Sequence, residues 1–163
     1  MANQEQLDIL KQGVKVWNEW RQKNSESWPD LSNADLHGVN LSGVNFSGAK
    51  LKEADLSQAN LFGADFKGAQ LHKVNLSQAI LTLAYLKGND LSKANLSETD
   101  LISADLSGAD LSGANLGEAN WGRDNLREAS LIDAKLNNTN FSHANLRRAD
   151  LHGALQLHLF PHQ

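Results

Sequence analysis

The stretch Ala104-Asp105-Leu106-Ser107-Gly108-Ala109-Asp110-Leu111-Ser112-Gly113 repeats itself after five residues, and the rule it sets governs most of the chain. Stepping by five from Leu106, back to Leu31 and on to Leu151, gives 25 positions, every one Leu, Phe or Trp. Two residues before each lies a second column. From Ala34 to Ala149 it holds 17 Ala, three Val and two Thr, with Asn89 and Asp124 as the exceptions. The position just before the large residue is Asp or Asn in 19 of 25 repeats, and a polar pair, often Ser-Gly or Ser-Gln, follows it.

A period of five suits neither common element. On an α-helix each repeat would turn the large residue about 140° further and spread it around every side. On a strand an odd period alternates faces. The pattern needs a chain that bends once per repeat, so that four pentapeptides close a coil of about 20 residues. The large residue and the small one two before it then point inward, because residues two apart in an extended segment share a face. The second must be small because the coil centre is already crowded with Leu, and interiors pack to crystal density. Asp, Asn, Ser and Gly suit the corners, partly through side-chain bonds to nearby backbone. The spacing thus predicts an all-β solenoid over residues 31–153, a quadrilateral parallel β-helix of about six coils stacked at ~4.8 Å. Residues 1–30 precede it as a helical cap and turn, and residues 154–163 follow as a tail or cap.

The motifs Ala34-Asp35-Leu36, Ala54-Asp55-Leu56, Ala104-Asp105-Leu106, Ala114-Asn115-Leu116 and Ala149-Asp150-Leu151 resemble the A(D/N)LXX signature of the pentapeptide-repeat proteins. That resemblance implies a right-handed coil; the spacing alone does not fix the hand. Most members of the family have no established biochemical role. Its fluoroquinolone-resistance members resemble B-form DNA in shape and charge and bind DNA gyrase as dimers, with a strongly acidic side.

A solenoid exposes backbone and Leu at both ends and needs covering there. Asn3 to Lys23 reads as one helix, with Asn3 as N-cap and Gln6 at the capping-box position. Leu7, Leu10, Val14, Trp17 and Trp20 form an apolar stripe at helical spacing, expected to lie over the first coil. Trp28-Pro29 would make the turn into Leu31. The apolar tail Leu155 to Pro161 is expected either to fold over the last coil or to pair two rods end to end, so both monomer and end-to-end dimer stay open.

The chain of 163 residues suits one domain, and its net charge of −4 is too small to steer strongly toward or away from nucleic acid. It has no cysteine, hence no thiolate chemistry and no disulfide framework. Neither a signal-peptide core nor a membrane-spanning run is present, which predicts a cytoplasmic protein without a membrane partner. No phosphate loop, nucleophile elbow or HExxH motif occurs. The six histidines, His37, His72, His143, His152, His158 and His162, fall at outward positions or in the tail without metal-ligand spacing. No catalytic residue, metal or cofactor is therefore expected. Asp124 is the one inward carboxylate. It is read as a register fault over Trp121-Gly122-Arg123-Asp124-Asn125, bonding local backbone, with Gly117 and Gly122 making room for Trp121. Asn89, after Gly88, is read as a similar fault.

Function then falls to the outward columns, where residues 20 apart stack. Phe62, Thr82 and Ile102 share one column, flanked by Ile80 and Leu83, and give an apolar patch on an otherwise polar rod. It is either a protein contact or drift in an imperfect repeat. On the next side Lys67, Lys87, Arg127 and Arg147, with Arg148 beside them, form a basic column. That column either faces solvent or holds an acidic partner. Phe46 with Phe66, and Trp121 with Phe141, are read as inward aromatic pairs. Residues 31–153 carry 14 acids and 11 bases, eight of the acids being the Asp before the large inward residue. That balance argues against the dominant negative field a gyrase mimic needs. The expectation is a non-catalytic, protein-binding scaffold whose partner is unidentified. Direct nucleic-acid binding is not expected, and a DNA-mimicking gyrase inhibitor or protector is the alternative.

Overall fold

The computed structural model describes residues 1–155, and there the five-residue rule becomes a solenoid. Parallel bridges join each residue before a large one to its counterpart 20 further on, from Asp30↔Lys50 to Lys135↔Leu155, without a missed register. Within each coil four such bridges fall five residues apart, as in Asp30↔Lys50, Asp35↔Asp55, Asn40↔Asn60 and Asn45↔Asp65. Between bridges the chain turns. In every repeat the residue three after the large one donates its N–H to the large residue's carbonyl, as Ala59 does to Leu56 at 3.1 Å. The second residue after the large one sits at φ 55–70° in all the repeats, while the first is never at positive φ. A positive φ at the third position of a bonded turn is the type II signature. The preceding Asp or Asn fixes the corner further. Asp55 Oδ1 accepts from Ser57 N–H at 3.0 Å, and Asn145 Oδ1 from Arg147 N–H at 3.2 Å. These are Asx turns, the local bonding that the sequence predicts for this slot.

Leu31 through Leu136 are buried together with the small residues between them. Phe46 and Phe66 pack with centroids 5.7 Å apart, and Trp121 and Phe141 at 6.0 Å, so both aromatic pairs lie inward. The inward reading weakens at the ends: Val39 in the first coil and Leu151 in the last are exposed. No register fault exists at Trp121 to Asn125, since Asp100↔Asn120 and Asp105↔Asn125 continue the ladder. Asp124 accepts not from local backbone but from Ala104 N–H one coil above, at 2.9 Å. Gly117 does not make room for Trp121: a Cβ there would meet Asn115 Oδ1 at 3.4 Å and Asn137 O at 3.6 Å, both ordinary contacts.

The N-terminal segment is two helices, α1 (Gln4–Lys11) and α2 (Val14–Lys23), rather than one. Gly13 interrupts them at φ 110°, a backbone conformation that side chains resist. Asn3 Oδ1 does accept from Gln6 N–H at 3.1 Å. The other half of the capping box is diverted, because Gln6 Oε1 accepts from Asp30 N–H at 2.7 Å while Asn3 N–H donates to Asp30 O. Leu10 and Trp17 are buried on the first coil, with Leu7, Val14 and Trp20 packed around them. Side chains of α2 satisfy that coil's free backbone groups. Trp17 Nε1 donates to Asn45 O at 2.7 Å, Asn18 Nδ2 to Gly43 O at 2.9 Å, and Asn18 Oδ1 accepts from Asn45 N–H at 2.9 Å. The sequence expectations for the tail beyond Leu155, including His158 and His162, lie outside the described residues.

Candidate functional site

The apolar residues singled out in the sequence meet at one corner of the solenoid. Ile80, Thr82 and Leu83 belong to a single coil, with Phe62 stacked above Thr82 and Ile102 below it. Leu83, Phe62 and Ile80 are 55%, 44% and 43% exposed, whereas Thr82 and Ile102 are half-buried. The structure adds Tyr85, 39% exposed, which bridges Asp65 and Asp105 on the adjoining side. Tyr85 occupies the slot that is Asp or Asn in 19 of 25 repeats, and that departure was its signal in the sequence. Together Ile80, Leu83 and Tyr85 form an exposed apolar ridge around the turn.

Leu83 is also the bulkiest apolar side chain placed at a turn residue with positive φ, at 62°. Its stacked neighbours in the same slot are Gly63, also at φ 62°, and Ser103. A non-glycine residue in this region costs about 1 kcal/mol or more. Fifteen other non-glycine residues take the same turn conformation, so what sets Leu83 apart is its exposed apolar side chain.

The basic column divides into two halves. Lys67 and Lys87 are exposed and form no ion pair among the described residues. Arg127 and Arg148 instead converge on one carboxylate, Glu128 Oε1, at 3.1 and 3.4 Å, which holds Glu128 below the usual carboxylate range. Arg147 is exposed beside them. Between Lys87 and Arg127 the small Ser107 and Gly108 leave a notch of about 360 Å³, with Asp105 and Glu128 also on its wall. Both acids there are engaged, Asp105 by Ser107 N–H and Asn125 Nδ2, Glu128 by the two arginines. Arg127 and Arg148 thus share a single carboxylate and Arg147 has none among the described residues, so the column stays net positive along its length, with Lys67 and Lys87 as its unpaired upper half.

Among the described residues no three His, Cys, Asp or Glu side chains group to hold a metal ion. His37 and His72 each bond a serine hydroxyl one coil on, Ser57 at 2.9 Å and Ser92 at 2.8 Å. Among the described residues no helix is long and apolar enough to cross a membrane.

A coil of 20 residues, closed by Asx and type II turns around a Leu column and repeated without a break, defines a class of protein. The "Pentapeptide repeats" family model matches residues 30–68, 40–78, 79–117 and 125–154. The chain belongs to the pentapeptide-repeat family. HetL, a pentapeptide repeat protein involved in heterocyst differentiation regulation from the cyanobacterium Nostoc sp. strain PCC 7120, is similar at 33% identity and a TM-score of 0.76. That match covers 80% of this chain but only 60% of HetL. A trypsin-treated form of QnrB1, a plasmid-mediated fluoroquinolone resistance protein, is similar at 27% identity and a TM-score of 0.54 over 78% of this chain and 77% of its own. No curated protein sequence matches the chain.

Proposed function

We propose that this protein is a non-catalytic, protein-binding scaffold: a right-handed, four-sided coil of about six turns, capped by α1 and α2. It engages its partner through the ridge of Phe62, Ile80, Leu83 and Tyr85. The observation that carries this is the exposed apolar cluster, with Leu83 55%, Phe62 44% and Ile80 43% exposed on an otherwise polar rod. A regular core leaves no freedom for a deep catalytic pocket, while outward slots accept nearly any residue, so a rod of this kind acts by its sides. Capture from lysate should be compared between the native protein and Phe62→Ser with Leu83→Ser. An interactor retained by the native protein and lost by the double variant supports the ridge. Undiminished capture by the variant moves the contact to Lys67 and Lys87 or to the ends.

A DNA-mimicking role toward gyrase is the second reading, favoured by the 27% identity with QnrB1. The two unpaired lysines on one side work against it, since a mimic of DNA presents a continuous negative face. Gyrase supercoiling that persists undiminished in roughly micromolar excess of the protein removes this reading.

A further inference from the structure

Arg21 is a buried cation without a carboxylate. It is 4% exposed, and its guanidinium donates only to neutral acceptors: Ser27 O at 2.9 Å, Ser27 Oγ at 3.1 Å, Asn24 O at 3.3 Å, Ser47 O at 2.7 Å and Ser47 Oγ at 3.5 Å. It leans on the Trp20 ring at 6.0 Å. Among the described residues its Nε has no hydrogen-bond partner. None of the ion pairs among the described residues includes it. Burial pushes its pKa down from the ordinary value, but a guanidinium stays charged in proteins. A charge taken out of water without a counter-ion is costly, and the usual remedy is an anion beside it.

The space for one is present. Arg21 lines a cavity of about 310 Å³ where the link from α2 folds back over the basic side of the solenoid. Lys67, Trp28 and the serines Ser25, Ser27 and Ser47 surround it, and no carboxylate is on its wall. Lys67 has no ion pair among the described residues. The nearby Asp65 is turned to its own corner, where Oδ1 accepts from Lys67 N–H at 2.8 Å. Glu26, beside Ser25 and Ser27 in sequence, is exposed and does not line the cavity. The notch between Lys87 and Arg127, by contrast, carries its own two acids.

We propose that this cavity binds a phosphate monoester, with Arg21 and Lys67 supplying the charge and Trp28 the wall for the ester's organic part. Charge selects the class. Two cations match the roughly −1.5 to −2 of a phosphate monoester at neutral pH, whereas a carboxylate would leave one of them uncompensated. The volume exceeds what an oxyanion alone fills, and Trp28, 63% exposed, offers an aromatic face at the rim. The ester could be a free small molecule or a phosphorylated side chain of another protein; the chemistry recognised is the same.

Phenyl phosphate is the probe, titrated at low salt into the full chain while the Arg21 Nε–H and Trp28 Nε1–H resonances are followed by NMR. Both should move saturably, and benzoate should bind at least about tenfold more weakly. Lys67→Gln should weaken phenyl phosphate by about tenfold without lowering the melting temperature, because Lys67 is exposed and in no ion pair among the described residues. Arg21→Lys is unsuitable alone, since Arg21 also ties α2 to the first coil. Affinity should fall as pH drops below about 6, where the monoester gains its second proton. A phosphoserine peptide that binds much more tightly than O-phosphoserine assigns the site to a protein; equal affinities assign it to a free ester. Failure to see saturable movement up to about 10 mM phenyl phosphate overturns the proposal. So does equal binding of benzoate, or binding that Lys67→Gln leaves unchanged.

Discussion

Asn89 and Asp124 occupy the same inward slot, where Ala is the rule, and the solenoid receives them differently. Asn89 Nδ2 donates to Phe66 O at 2.8 Å, across 23 residues. The Thr99 and Thr139 hydroxyls make the equivalent bond to Leu76 O at 3.1 Å and Leu116 O at 2.8 Å, across the same separation. The slot therefore faces a carbonyl and favours a donor. An ionised Asp124 has only acceptors. Its Oδ1 takes the Ala104 N–H, but Oδ2 is buried without a partner, as is Trp121 Nε1 three residues away. Burial, with Asp100 adding to it, pushes the Asp124 pKa up to about 8 against the opposing backbone bonds from Ala104 and Ser103. At neutral pH the carboxyl keeps its proton and so regains an O–H. Asn89 likewise leaves its Oδ1 buried without a partner, so what separates the two residues is the donor Asn89 offers the carbonyl and the charge an ionised Asp124 would bring.

The largest effect should come from removing the acid. The folded carboxyl holds its proton up to a pH of about 8, whereas in the unfolded chain it ionises near 3.8. Between those values the native state binds the extra proton, so this group's contribution is fully present below the lower pKa and is lost as pH rises through the upper one. Asp124→Ala should therefore raise stability more at high pH than at low, by about 5 kcal/mol between pH 4 and pH 9 if the whole shift is realised. Urea unfolding of both proteins across that range measures the difference. Parallel stability curves would mean that Asp124 is hydrated and ionised in the folded protein. Asp124→Asn should remove the pH dependence while keeping a donor.

The converse change is smaller. Asn89→Asp places an acceptor-only side chain opposite the Phe66 carbonyl. It should cost about 2 kcal/mol at pH 7, and less at pH 4, where the acid is neutral. Equal losses at both pH values would show that the size or flexibility of Asn89, rather than its donor, is what the slot uses.

The sequence made the coil legible because each pentapeptide slot has its own physical demand. The large and small inward columns, the corner Asp and Asn and both aromatic pairs follow from period and size alone. Asn89 and Asp124 stood out as exceptions, but their bonds reach 23 and 20 residues upstream, onto the neighbouring coil. Only the stacked structure brings those partners together. Gly13 was masked by an apolar stripe that continues in helical phase across it. The positive φ of the second turn residue had a signal, the glycines at Gly38, Gly43, Gly48, Gly63 and Gly68, but non-glycine residues fill the same slot elsewhere. The Arg21 cavity had none, because it depends on how residues 24–30 fold back, and no repeat governs that segment.

The turn slot is the exterior counterpart of the inward one: there the penalty falls on a Cβ rather than on an acceptor. Gly63 and Leu83 stack in that slot with the same φ of 62°, one without strain and one with it. Leu83→Gly should stabilise the protein by about 1 kcal/mol, since the side chain is exposed and its removal loses little packing. The ridge would shrink at the same time, so capture of the partner should fall as the melting temperature rises. That opposition is expected where strain is retained for a contact rather than for the fold. Lys93→Gly, at φ 58° in the same kind of turn, should give a similar gain in stability with capture unchanged. If Leu83→Gly is instead destabilising, Leu83 belongs to the packing of its own corner, and the ridge loses its strongest member as a binding element.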